Sequence, residues 1–401
     1  MTNSSMDQRN MGRIVITSLI CAIFALLSLQ ACTTKREGAT GANGNRPEST
    51  NQGGAQSMSQ AGGIVPSDET RTFRGEIGDQ NRIEMRLVRA GERLSGTYAY
   101  EKVGTNINLS GTIDAKGNFT LQESDANGKQ TGVFKGEWKE PESEAGATLD
   151  GSWTKADGSG ELTFYLIEQH INFSGGLKMV ARQIKEENKK KKYAMAAEYP
   201  QIEGSTAPGV EAFNREVSGF VTAEINEWKS TAGRDPDETD DSIGGDDDLT
   251  IRYDVMLAND DLASIIFFGS VYEHGAAHPN SYSKVINYDL KNNHALKLAD
   301  LFQPNSNYLA TISAYSIDDL KRQSKKAGPD ESMLDDENIE EGASAQEDNY
   351  RSWNITPKGL LVTFDAYQVG PYAAGPQSVV IPYAALKGII RADGPLAPFV
   401  K

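Results

Sequence analysis

The chain has 401 residues, with 40 Lys and Arg against 56 Asp and Glu, a formal net charge of −16 and 38% hydrophobic residues. At roughly 150 residues per domain, that length calls for about two folded domains plus non-globular sequence. Phosphate backbones are held by clustered Lys and Arg, so the acidic excess argues against a nucleic-acid partner and favours cationic ones. Only two cysteines occur, Cys21 and Cys32, which excludes intrachain disulfides, thiolate metal ligands and Cys nucleophiles from everything after Cys32.

Arg9 and Arg13 precede an apolar run from Ile14 to Leu29. The run is short of the roughly 20 residues a bilayer span wants and close to the length of a secretory core of about 7–15 residues. It closes on Leu29-Gln30-Ala31-Cys32, which resembles a bacterial lipobox. That resemblance implies a lipoprotein signal peptide over residues 1–31, cleavage before Cys32, a diacylglycerol on the Cys32 thiol and an acyl chain on its amine. The competing reading is a short transmembrane anchor beside a free cysteine. Residues 32–67 are rich in Gly, Ser, Thr, Asn and Gln and read as a flexible tether with a typical reach of about 30 Å. The expected location is the cell envelope, membrane-anchored through lipid: the outer membrane or the periplasmic face in a Gram-negative cell.

Between residues 68 and 172 one pattern recurs five times: a large apolar residue, any residue, Gly, any residue, a large apolar residue. It stands at Phe73–Ile77, Leu94–Tyr98, Leu109–Ile113, Phe134–Trp138 and Leu149–Trp153. In an extended chain the first, third and fifth positions share one face. The glycine therefore leaves room for a neighbouring ring or permits sharp coiling of the sheet. Asp114–Asn118 and Asp125–Lys129 supply turn chemistry. The expectation is an all-β meander of about seven or eight short antiparallel strands, curled into a small barrel or a strongly coiled sheet. Its interior is either packed with Tyr98, Phe119, Trp138 and Trp153 or hollowed for one small ligand.

From residue 175 to 401 helical and strand signals fall in blocks, which predicts an α+β domain built on an antiparallel sheet. Leu177 to Lys192 reads as a short helix ending in a solvated Lys run. Val210, Phe213, Val217, Phe220, Val221, Ile225 and Trp228 form one apolar stripe at three- and four-residue steps, a helix of about 20 residues with Pro208 near its start. Leu249–Leu257 and Leu262–Tyr272 read as a hairpin, followed by a strand over Val285–Leu290 and a helix over Tyr308–Lys325. Trp353–Ile355, Gly359–Phe364 and Ser378–Ile381 are expected to close the same sheet, and Tyr383–Ile389 to form a terminal helical turn.

Within this region Tyr272-Glu273-His274-Gly275-Ala276-Ala277-His278-Pro279 is followed by Asn287–Leu290, Leu298–Phe302, Tyr367 with Pro371–Gly375, and Ile381–Tyr383. In that order the motifs resemble the extracellular domain shared by RsiV-type anti-sigma factors and PdaC-type deacetylases. Tyr199–Ile202 and the helix after it resemble the segment preceding that domain. The resemblance spans about residues 193–395, with His274 standing where the family usually has Gly. It implies a ligand-recognising envelope module rather than the deacetylase or signalling activity, and a small basic protein, lysozyme, as a model partner.

Several groups are candidates for the site. His274 and His278 have the four-residue spacing of a helical metal pair, with Glu273 or His294 as the third ligand, but the intervening Gly-Ala-Ala and the following Pro279 favour a loop in which the imidazoles are structural or capping; a general base is the remaining reading. Asp235–Asp248 carries eight acids in 14 residues and Asp330–Asp348 nine in 19, neither with a Lys or Arg. Such runs read as solvated inserts, as electrostatic capture of a basic partner, or as loose divalent-cation binders. Tyr367, Pro371, Tyr372 and Gly375 form either an exposed contact loop or a structural turn that buries both rings. The expected function is ligand binding without a catalytic residue, resident metal or cofactor. The partner would be a basic protein such as a lysozyme-like muramidase, or cell-wall glycan. The rivals are a metal-assisted hydrolase using His274 and His278, and a small-ligand carrier working through the β module.

Overall fold

The structure is a computed structural model and describes residues 70–78, 81–101, 103–140, 146–233, 245–328 and 332–400. The expected signal peptide, Cys32 and the expected tether lie outside the described residues, as does most of the first acidic run. Among the described residues no helix is long and apolar enough to cross a membrane.

The repeat-bearing segment forms eight antiparallel strands: β1 (Thr70–Ile77), β2 (Asn81–Ala90), β3 (Arg93–Tyr100), β4 (Ile107–Ile113), β5 (Asn118–Ser124), β6 (Gln130–Lys139), β7 (Thr148–Lys155) and β8 (Leu162–Gln169). Each pairs with the next and β8 returns to β1, closing a barrel that has no free edge. The repeat glycines make the closure possible through close strand approach. A Cβ on Gly111 would lie 1.8 Å from the Thr120 carbonyl oxygen on β5, and one on Gly96 1.9 Å from that of Arg86 on β2. Only a residue without a side chain tolerates such coiling. The interior is filled: Phe73, Met85, Tyr98, Leu121, Phe134, Trp138 and Phe164 are all buried. Phe134 meets the rings of Tyr98 and Phe164 edge-on at 5.4 and 5.3 Å. The small-ligand carrier reading thus finds side chains where its ligand would sit.

The C-terminal half contains two sheets. Strands β9 (Ile171–Asn172), β10 (Lys178–Asn188), β11 (Tyr193–Glu203), β12 (Asp247–Asn259), β13 (Leu262–Tyr272), β14 (Asn280–Asp289) and β15 (His294–Ala295) make the larger one, in the order β10-β11-β12-β13-β14-β15, with β9 beside β12. Helix α1 (Pro208–Thr231) crosses over between β11 and β12, and this crossover makes that pair parallel in an otherwise mostly antiparallel sheet. The predicted stripe is the packed face of α1. Val210, Phe213, Val217, Val221, Ile225 and Trp228 are buried against β11 to β14, and Phe220 is half-buried beside Phe267.

After α2 (Tyr308–Ala327) and α3 (Asp336–Gly342), strands β16 (Trp353–Ile355), β17 (Gly359–Phe364) and β18 (Gln377–Pro382) form their own three-stranded sheet, followed by α4 (Tyr383–Leu386). They were expected to extend the first sheet; instead they cover its second face. Leu361 and Val380 pack on Met256 and Ile266. A buried polar seam stitches the sheets together: Asn354 Nδ2 donates to Ser264 Oγ (3.0 Å), Ser264 Oγ to Asn287 Oδ1 (2.6 Å), and Asn287 Nδ2 to the Trp353 carbonyl (2.7 Å). With α1 on one face and this sheet on the other, β13 is apolar over a continuous run from Leu262 to Phe268 broken only by Ser264. The fold is therefore multidomain, an all-β barrel followed by an α+β body.

Two further expectations are corrected. Residues 178–188 are a strand and not a helix. Lys, Arg, Glu and Met favour a helix locally, but the full length of β11 offers antiparallel partners, and pairing overrides propensity. The Lys run is consequently a hairpin turn, with Lys192 at φ 54°. The second acidic run is not a structureless insert either. Asp335 caps α3, its carboxylate accepting from the Asn338 amide, while Ile339 is fully buried.

Candidate functional site

The histidine-bearing segment is the connection between β13 and β14. Ala276 N donates to the Glu273 carbonyl (2.9 Å), closing a turn in which Gly275 has φ 80°. Buried Asp247 fixes one side of it. One carboxylate oxygen accepts from His274 N (2.7 Å) and the other from Gly233 N (2.7 Å), while the His274 imidazole Nδ1 lies 3.0 Å from the Gly245 carbonyl. His274 is thereby committed to the segment leading into β12.

His278 has different partners. Its exposed ring stacks on Tyr372 with centroids 4.0 Å apart and planes 21° from parallel, and the Tyr372 hydroxyl donates to the Pro279 carbonyl (2.8 Å). Tyr367 stands beside Tyr372, centroids 5.4 Å apart, and is 66% exposed. Three rings from two segments thus make one continuous surface, with Pro371 exposed at its margin.

The loop carrying Tyr367 and Tyr372 is rigid for local reasons. Gln368 Nε2 donates to the carbonyls of Gly342 (3.1 Å) and Asn349 (2.9 Å), tying the loop to the acidic helical segment, and Val369 is buried. Asp365 Oδ1 accepts from Ser283 N (3.0 Å) and Ser283 Oγ (2.6 Å) on β14. Gly375, at φ 65°, ends the short turn Tyr372–Ala374. Tyr367 itself has φ 72°, a left-handed conformation that costs a non-glycine residue of order 1–3 kcal/mol and recurs at functional sites. The adjoining crevice between Phe268, Gly269, Ser281, Tyr282, Asp365 and Pro376 measures about 10 Å³, at most the room for a water. A ligand would lie on this platform rather than within it.

The structure therefore unites Tyr367, Tyr372 and His278, with Pro371 and Gly375 shaping their loop, and sets His274 apart through its own partners. No group of three or more His, Cys, Asp or Glu residues able to hold a metal occurs among the described residues. His294 lies on β15, paired with the end of β14 opposite to the His278 loop. Sequence reasoning missed Asp247 and Gln368, the two side chains that fix the loops. Neither stands in a motif; only the carboxylate of Asp247 at the head of a strand was visible, merged into an acidic run.

Residues 299–384 match the family model described as "Protein of unknown function (DUF3298)". The chain is 25% identical over 205 residues to the peptidoglycan-N-acetylmuramic acid deacetylase PdaC of Bacillus subtilis (strain 168), a match covering 51% of this chain and 40% of that protein. The chain thus spans well under half the length of this relative. Among solved structures, a member of the same family from Bacteroides fragilis NCTC 9343 aligns over 57% of this chain and 98% of its own, with 17% identity and a TM-score of 0.39. Apo short afifavidin aligns over 26% of this chain and 98% of its own, with 22% identity and a TM-score of 0.19.

Proposed function

We propose that this chain is a lipid-anchored cell-envelope protein whose C-terminal half recognises a protein or glycan ligand on the Tyr367–Tyr372–His278 surface. The observation that carries the reading is a stack of three rings, His278 and Tyr367 exposed and Tyr372 half-buried, beside a loop pinned by Asp365 and Gln368. Rigid aromatic side chains offer large contact area at small entropic cost, the usual composition of a binding hot spot. The similarity to a protein named for acting on peptidoglycan supports an envelope setting, and the lipobox-like Leu29–Cys32 supports lipid anchoring at Cys32. The net charge of −16 favours a cationic ligand, so a basic muramidase of the lysozyme type is the leading candidate and cell-wall glycan the second.

Calorimetric titration of the purified protein with several lysozymes and with muropeptides, at low and moderate salt, tests this reading. Binding to one of them that weakens at least tenfold in Tyr367→Ala and Tyr372→Ala supports it. An absence of heat with every ligand, or binding unchanged in both variants, rejects the surface. The hydrolase rival needs a third ligand beside His274 and His278, and the described residues do not bring one together.

A further inference from the structure

Where the barrel meets the larger sheet, charged side chains are buried that the binding surface does not use. Arg74 on β1 is 3% exposed; its guanidinium lies 4.1 Å over the Tyr253 ring, donates to the Tyr253 carbonyl (3.3 Å), and reaches Glu101 (2.6 Å) and Glu198 (3.7 Å). Arg82 on β2 places Nε 3.1 Å from Glu198 and 3.6 Å from Glu101. Arg82 also pairs with Glu76 at 3.5 Å, and Glu76 in turn pairs with Arg252 on β12 at 2.5 Å. Asp254, on β12, accepts from Gln169 of β8 at 3.2 Å. Two chain modules contribute: Arg74, Glu76, Arg82, Glu101 and Gln169 come from the barrel, and Glu198, Arg252, Tyr253 and Asp254 from the sheet.

The charges do not balance. Three guanidiniums face four carboxyls, Glu76, Glu101, Glu198 and Asp254, so full ionisation leaves one uncompensated negative charge. Glu76 and Arg252 are partly exposed, but the side chains of Arg74, Glu101 and Glu198 are buried, where an excess charge is costly. Glu101 Oε2 and Glu198 Oε2 are buried without a hydrogen-bond partner, although both face Arg82 Nε. One proton placed between these two carboxyls removes the excess charge and supplies the missing donor.

We propose that this junction is a proton-loaded latch, in which a proton shared by Glu101 and Glu198 keeps the barrel docked on the C-terminal body and its loss at higher pH loosens the two. The electrostatics of the cluster point the same way. Burial and the neighbouring Glu101 push the Glu198 carboxyl above its ordinary value. At Glu101, burial acts in the same sense but is outweighed by Arg74 and Arg82, which hold it below. Burial also raises Asp254. A group whose value is raised in the docked state stabilises docking at low pH, and that contribution is lost as pH climbs through the raised value.

The consequence is a tethered ligand-binding head whose stiffness follows the pH of its surroundings. Hydrogen-exchange mass spectrometry on the full-length protein in detergent, corrected for the intrinsic pH dependence of exchange, reads the junction at the amides of Val255 and Ala258, which bond to Gln169 and to the His170 carbonyl. Protection there is expected to fall by about tenfold per pH unit above the midpoint in the wild type and to stay flat in Glu198→Gln, which fixes the neutral form. Wild-type protection that is flat with pH, or a Glu198→Gln profile that tracks the wild type, overturns the latch. So does a pH dependence abolished by Asp254→Asn alone. Should Glu198→Gln fail to fold, infrared spectroscopy of the wild type decides. A protonated-carboxyl band persisting near about pH 6.5, where exposed carboxyls have ionised, supports the shared proton, and its absence rejects it.

Discussion

The Tyr372 ring lies face to face with the His278 imidazole, centroids 4.0 Å apart, while its hydroxyl donates to the carbonyl of the next residue, Pro279, at 2.8 Å. One side chain thus stacks on the His278 ring and anchors the backbone beside it. The two roles separate by substitution. Tyr372→Phe keeps the stack and removes the hydrogen bond, with an expected stability loss of about 1 kcal/mol and faster amide exchange over residues 273–278. Tyr372→Ala removes both and is expected to abolish ligand heat while the barrel still unfolds at its normal temperature. Equal exchange in Tyr372→Phe and wild type would show that the hydroxyl does not hold the loop.

Tyr367 occupies a left-handed conformation at φ 72° with its ring exposed. Tyr367→Gly relieves that strain and is expected to raise stability by roughly 1 kcal/mol while weakening ligand binding. Thermal denaturation and calorimetry together check it. A variant that is destabilised and binds normally would mean that the ring serves packing and not recognition.

Glycine substitutions distinguish close approach from helix propensity. Gly111→Ala drives a methyl to 1.8 Å from the Thr120 carbonyl and should cost roughly 3 kcal/mol of barrel stability. Gly219 is exposed on α1 with nothing near its missing Cβ, so Gly219→Ala should stabilise by about 1 kcal/mol. Chemical denaturation of the two variants resolves the opposite signs, and a Gly111→Ala protein as stable as wild type would refute the tight-coil account of the repeat.

Buried phenols set the alkaline limit. Burial pushes Tyr98 and Tyr383 well above the ordinary tyrosine value, and pushes Tyr253 up to about 12 despite the Arg74 guanidinium over its ring. Because the folded state holds these protons more tightly, the associated stability is intact below about pH 10 and is lost as pH rises through the raised values. A spectrophotometric alkaline titration should show these phenols ionising together with loss of tertiary structure. Smooth ionisation near pH 10 in a still-folded protein would contradict their burial.

The elements legible in the sequence are those whose signal is periodic. The apolar-Gly-apolar repeat announces the barrel because alternation in a strand fixes which residues face inward, and the stripe from Val210 to Trp228 announces α1 because 3.6-residue spacing fixes one helical face. The hairpin around Asn259 is legible for another reason, two strand-like runs flanking the Asn259-Asp260 turn. Periodicity specifies a face and never the partner that covers it. Residues 178–188 are a strand because β11 lies beside them, β16 to β18 form a second sheet because β13 offers them an apolar face, and Tyr372 meets the Pro279 carbonyl across 93 positions. The junction of Arg74 with Glu198 belongs to the same class: both residues were ordinary charges in strand patterns until docking of barrel and sheet removed the water between them. Local periodicity wrote the elements; long-range packing and desolvation, which no single segment encodes, assembled the ring platform and the buried ion cluster.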